Sequence, residues 1–316
     1  MRKIVLLAAG VLAALSLTAA PASAAPWGSS NLCNGWEAAG AASFTSLGSL
    51  TAGDSSARGG IGRGEPNLNA NYAALPIGAD GQADENFDVV VPVAFHVITD
   101  GTTGNLTDAQ IDAQIAVLNL AFGGFYGEDA YDTGFRFELV SVTRTDNATW
   151  FNARAGGDAE RDMKKALHEG GFETLNIYTN LAGGYLGYAY LPGLPDSREY
   201  VDGVVIHWAT VPGASTLFAG RYDLGQTLTH EVGHWLALEH TFAGGCNAKG
   251  DYVEDTPAMA VPTSRCPVGK DTCTKEPGLD PIENFMDYSY DACYEEFTEG
   301  QADRAQEAWN AFRDRD

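Results

Sequence analysis

The 316-residue chain is poor in positive charge: 19 Lys and Arg stand against 42 Asp and Glu, for a formal net charge of −23. So acidic a surface repels polyanions, which argues against nucleic acid and anionic membranes as partners. Sulfur is sparse as well, with five cysteines and four methionines. No two cysteines stand as Cys-x-x-Cys, so the usual ligand knuckle of a closed structural zinc site is missing. Beyond the N-terminus no stretch is apolar enough to span a bilayer. No internal repeat is visible. Histidine is scarce, and three of its six residues fall between positions 230 and 240.

What is present starts with MRKIVLLAAGVLAALSLTAAPASA, residues 1–24. A basic start, a moderate apolar run and an Ala-Ser-Ala ending are the marks of a secretory signal peptide, with cleavage expected after Ala24. The alternative, a single-pass anchor, is opposed by the short run and by Pro21 at its end. Residues 25–84 are rich in Gly, Ala, Ser and Asn and show little periodicity, as a prosegment or flexible leader would. SSARGGIGRGEPN within them cannot pack and could be cut. Cys33 lies here, apart from the other four cysteines. An exported chain meets an oxidising compartment, where disulfides persist.

The folded domain is expected over 85–316, and an apolar fraction of 45% is ample for its core. FDVVVPVAFHVITD (87–100) is β-branched with period-two character and predicts a strand. LTDAQIDAQIAVLNLAFGGF then predicts a long helix, with Thr107 as N-cap and a stripe of Ile111, Ile115, Leu118 and Phe122. GFRFELVSVTRT (134–145) predicts a strand, and AERDMKKALHEG a short helix closed near Gly170. TLNIYTNLAGGYLGYAYLP (174–192) reads as a strand, a Gly-rich bend and a second extended stretch, and DGVVIHWATV (202–211) as a buried strand. His96 and His207 fall inside strands and are expected to be structural. A helix runs through 223–240, and a closing helix starts at Thr298. Alternating elements followed by irregular sequence predict an α+β domain: a twisted mixed sheet with two long helices above a loop-rich lower lobe.

HEVGHWLALEH (230–240) carries the chemistry. His230 and His234 stand four apart, one turn apart on one helix face, where two imidazoles can meet a single zinc ion. Glu231 sits between them, able to reach a water beside the metal without ligating it. If the helix ran on, His240 would lie roughly 9 Å beyond His234 along the axis. The chain is therefore expected to turn back after about 236–238. Three His ligands and one open position make a catalytic rather than a closed zinc site.

With NFMDYSYDAC (284–293) and GDYVEDTP (250–257) added to HEVGHWLALEHTF (230–242), the chain resembles the pappalysin-like metallopeptidases, peptidase family M43 of the metzincin clan. The pattern has Gly where this chain has Ala237, a substitution that costs about 1 kcal/mol if the turn demands a positive φ. The resemblance implies several roles. Met286 would lie beneath the histidines, in packing rather than ligation. Tyr288 would donate to the developing oxyanion, the alternative being a core tyrosine. Four clustered cysteines allow three pairings; the resemblance implies Cys246–Cys273 and Cys266–Cys293. Asp251, Asp255 and Thr256 form an oxygen-rich loop suited to Ca²⁺, or else a turn closed by carboxylates. Cys33 would occupy the open zinc position of a zymogen, against the alternative of an exposed or intermolecularly paired thiol.

The expectation is a secreted zinc endopeptidase acting on protein or peptide substrates. Two rivals stand beside it: a silent zinc-containing binding or adhesion protein, and a zinc hydrolase of small amides. Glu231 opposes the first, and the Gly-rich stretch at 174–192, suited to an extended peptide, opposes the second.

Overall fold

The computed structural model describes residues 77, 81–247 and 249–315. The expected signal peptide, nearly all of 25–84, and Cys33 lie outside the described residues. The chain runs through β1 (Val89–Thr99), α1 (Asp108–Phe122), β2 (Phe135–Asp146), α2 (Ala148–Phe151), α3 (Asp158–Leu167), β3 (Leu175–Asn180), β4 (Gly187–Ala189), β5 (Val204–His207), α4 (Gln226–Trp235) and α5 (Glu299–Phe312).

The strands form one five-stranded sheet in the order β2-β1-β3-β5-β4. All neighbours are parallel except β4, which pairs antiparallel with β5 and ends the sheet. β1 is buried on both faces from Val93 to Ile98, the pattern of a strand covered on both sides. On one face Val93, Phe95 and Val97 pack with Ile111, Ile115, Leu118 and Phe122 of α1 and with Leu228, Val232 and Trp235 of α4. On the other face lie Met163 of α3, Tyr178, Tyr188 and Val205. α1 starts where expected: the Thr107 side chain accepts from the Gln110 N–H, and the Gln110 side chain accepts from the Thr107 N–H at 2.9 Å. This reciprocal cap satisfies two donors that the helix cannot.

Beyond α4 regular structure thins out until α5, whose Thr298–Gln301 cap repeats the same reciprocal device. Among the described residues no helix is long and apolar enough to cross a membrane.

β5 is shorter than the sequence suggests. His207 Nδ1 accepts from the Ala209 N–H at 3.1 Å, and Thr210 Oγ1 donates to the His207 carbonyl at 2.8 Å. These local bonds turn the chain out of the ladder. Burial holds the His207 imidazole down at about 4. A base lowered in the fold stabilises it above the ordinary histidine range, and that stability is lost as pH falls towards the folded value. His207→Asn keeps an acceptor for the Ala209 N–H but does not titrate. In urea unfolding it should lose less stability than the parent between about pH 6.5 and 4; coincident pH profiles would contradict this.

Candidate active site

α4 brings His230, Glu231 and His234 into the interior, each less than a tenth exposed. The helix is entered through Gly225 at φ 93°, a conformation costly for any residue with a Cβ. Its start is capped from a distant part of the chain. Leu224 and Gln226 donate their N–H groups to Asp291 Oδ2 at 2.8 and 3.4 Å. A carboxylate there also opposes the positive end of the helix dipole. Burial nevertheless pushes Asp291 up to about 7, against the lowering effect of the amides.

The helix stops after Trp235, and the turn closes with Leu238 N–H on the Gly233 carbonyl and Ala237 N–H on the His234 carbonyl, both at 2.9 Å. Ala237 carries the reversal at φ 68°, a left-handed conformation that costs a residue with a Cβ about 1 kcal/mol. His240 thereby returns to the other two histidines. The three Nε2 atoms stand 3.1 Å apart for 230–240, 3.1 Å for 230–234 and 3.0 Å for 234–240.

The arrangement of protons follows from the outer nitrogens. His230 Nδ1 lies 2.7 Å from the Phe285 carbonyl and His234 Nδ1 lies 2.7 Å from the Leu238 carbonyl. A carbonyl only accepts, so each Nδ1 carries the hydrogen and each Nε2 the lone pair. Lone pairs aimed at one another at 3 Å repel, and a shared cation removes the repulsion. Neutral imidazoles oriented by backbone carbonyls are the donor set that zinc takes. Among the described residues these three form the one cluster of three or more His, Cys, Asp or Glu side chains close enough to share a metal.

Met286 is fully buried directly below the helix. A Cβ on Gly233 would meet its sulfur at 2.4 Å, so the glycine inside the histidine motif leaves room for that side chain. The Tyr288 ring lies 4.8 Å from the His240 ring and 5.5 Å from that of His230, on the cleft side. The cleft spans about 560 Å³ counting its solvent-open mouth, and its walls include Gly187, Thr227, His230, Glu231, Tyr288 and Asp291. Gly187 belongs to β4 at the sheet's edge, and a Cβ there would fall 2.6 Å from Glu231 Oε1. Bare backbone at 187 is what lets the carboxylate occupy its place.

The other candidate residues are dispersed. Cys246 is bonded to Cys273 and Cys266 to Cys293, an interleaved pair of staples. Asp251 accepts from Thr256 Oγ1 at 2.8 and 2.9 Å, and burial pushes its carboxyl up to about 7. Asp255 instead accepts from Thr298 Oγ1 at 2.7 Å and from the Gly300 N–H at 2.8 Å, at the start of α5. The two carboxylates of the acidic loop thus have separate protein partners, and among the described residues neither belongs to a cluster of three or more His, Cys, Asp or Glu side chains. Sequence reading did not single out Gly187 or the capping role of Asp291. A glycine in mid-helix, about 1 kcal/mol worse than Ala there, was the available signal for Gly233. The Asp291 cap spans 65 residues and leaves no local trace.

Comparison with known proteins agrees with this geometry. The family model of peptidase M43, described as pregnancy-associated plasma protein-A, matches residues 177–310. An extracellular metalloprotease of Colletotrichum graminicola is 46% identical over 232 residues, covering 71% of this chain and 78% of the relative. One from Pyricularia oryzae is 46% identical over 224 residues, covering 69% and 74%. Mature mirolysin of Tannerella forsythia in complex with a cleaved peptide is similar in structure, with TM-score 0.59, 31% identity and coverage of 69% of this chain and 90% of that one. A promirolysin mutant of the same organism gives TM-score 0.63 at 29% identity, covering 74% and 84%. With its metzincin-like sheet, its disulfides and its three converging histidines, the chain belongs to peptidase family M43 and is a zinc metalloendopeptidase.

Proposed function

We propose that the chain is a secreted endopeptidase in which His230, His234 and His240 hold the zinc ion and Glu231 is the general base. The observation that carries this reading is the meeting of three Nε2 atoms within 3.1 Å beside Glu231 on a cleft wall. Export fits the signal-peptide pattern of 1–24 and the extracellular relatives. Residues 25–84 would then be a prosegment, with Cys33 as its zinc-directed thiol, and 85–316 the catalytic domain. A likeness to a promirolysin supports a precursor form.

Zinc bound there supplies Lewis acidity to a water molecule and to the scissile carbonyl. The Glu231 carboxylate accepts the water's proton and later delivers it to the leaving nitrogen. Tyr288, bordering the cleft beside His240 and His230, donates its hydroxyl hydrogen to the developing oxyanion. β4 is the sheet's last strand, so its outer N–H and C=O groups can pair with an extended peptide backbone. A mirolysin solved with a cleaved peptide supports a peptide as the occupant of such a cleft.

Glu231→Ala should lower peptide hydrolysis by about 10²–10⁴-fold while zinc remains stoichiometric by metal analysis; retained activity would remove Glu231 from the role. Gly187→Ala forces the Glu231 side chain aside without touching a metal ligand. It should cost roughly 10²-fold in kcat with zinc content and thermal unfolding close to the parent's. Unchanged kcat would show that the contact does not set the position of the base.

A further inference from the structure

α5 and the residue after it touch the end of α4, the turn behind it and the segment that leads to Met286. Asp255, from the loop after His240, binds the first turn of α5. Asn284, ahead of Met286, exchanges two amide hydrogen bonds with Gln301 at 2.7 and 2.9 Å. Two arginines then reach the end of α4. Arg313 Nη2 donates to the Trp235 carbonyl at 2.8 Å, and its guanidinium lies 3.8 Å from the Trp235 ring centre. Arg304 Nε donates to the Ala237 carbonyl at 2.9 Å, and both arginines are almost fully buried.

The two contacts differ in what they hold. Arg313 also pairs with buried Asp202 at 2.5 Å, and Asp202 accepts from Trp235 Nε1 at 2.8 Å. That network fastens the helix to the body of the domain. Arg304 grips the carbonyl of the one residue in the turn whose backbone is left-handed. The competing path continues α4 through Ala237 with ordinary helical angles, and it carries His240 roughly 9 Å beyond His234. Along that path the Ala237 carbonyl would face a helical N–H four residues on. Its bond to Arg304 therefore favours the turned path.

We infer that Arg304 is a positioning residue of the metal centre: holding the Ala237 carbonyl, it keeps the strained turn that delivers His240 to His230 and His234. The inference rests on the reading that these three imidazoles hold zinc. It assigns α5 a part in metal affinity beyond its packing.

The test is the zinc dissociation constant of the purified full chain, measured by competition with a chromophoric chelator, with circular dichroism confirming that each apoprotein is folded. Arg304→Met keeps the aliphatic stem and removes the donors. It should weaken zinc binding about 10–100-fold, the usual effect of losing an outer partner of a metal ligand. Adding Ala237→Gly, which makes the left-handed turn unstrained, should restore most of the affinity. Unchanged affinity in Arg304→Met would overturn the inference, and so would a loss that Ala237→Gly fails to restore, since the arginine would then act elsewhere than on the turn. Should Arg304→Met not fold, Arg304→Leu, which also lacks a donor, carries the same comparison with and without Ala237→Gly. A parent chain that binds no zinc would instead overturn the underlying assignment of the three histidines.

Discussion

Three imidazole Nε2 atoms held within 3.1 Å of one another are the constraint from which the rest of this structure follows. Without a cation between them they repel, and each of the rings at 230 and 234 is fixed in that attitude by a hydrogen bond from Nδ1 to a main-chain carbonyl. The two carbonyls come from different places: Phe285 precedes Met286, and Leu238 sits in the turn after α4. The three-histidine cluster is therefore a junction of the helix, the turn and the Met286 segment. None of the three can shift alone without turning one of these imidazoles.

Glycine and charge placement serve that junction. Gly233 gives Met286 its place below the helix, and Gly187 gives Glu231 its place above the cleft. Asp291 caps the entrance of α4, while Arg313 and Arg304 hold its exit. The lower part of the molecule has few regular elements, and two interleaved disulfides constrain it. Each such bond stabilises typically by about 2–4 kcal/mol, which suits a region unable to rely on helix and sheet ladders. The sheet contributes in another way. Its central strands are buried, and its antiparallel last strand leaves one row of backbone groups beside the Glu231 carboxylate.

Much of this was legible in the sequence because it is local. Thr107 and Gln110, or Thr298 and Gln301, announce a helix start three residues apart. The apolar stripe from Ile111 to Phe122 announces its buried face, and the spacing of His230, His234 and His240 announces both the meeting of the three rings and the break needed to complete it. The positive φ at Ala237 was readable as a requirement once that break was assumed. What could not be read depends on contacts between distant segments. The Asp291 cap, the Arg304 and Arg313 bonds to α4 and the fit of Gly187 against Glu231 have no short-range signature. In the acidic loop, sequence proximity did not reveal that Asp251 binds Thr256 while Asp255 binds the start of α5. β5 was read too long because bonds from His207 and Thr210 bend the chain where β-branched composition alone would extend it.

The most direct test of the account is X-ray absorption at the zinc edge on the purified, metal-loaded chain. It predicts a first shell of three imidazole nitrogens at roughly 2.0–2.1 Å, with a single further ligand that is a light atom or, where the prosegment is retained, the Cys33 sulfur, and one imidazole fewer in His240→Ala. A shell that keeps all three imidazoles in that variant, or one with more sulfur than nitrogen in the parent, would contradict the convergence of His230, His234 and His240 on a single ion.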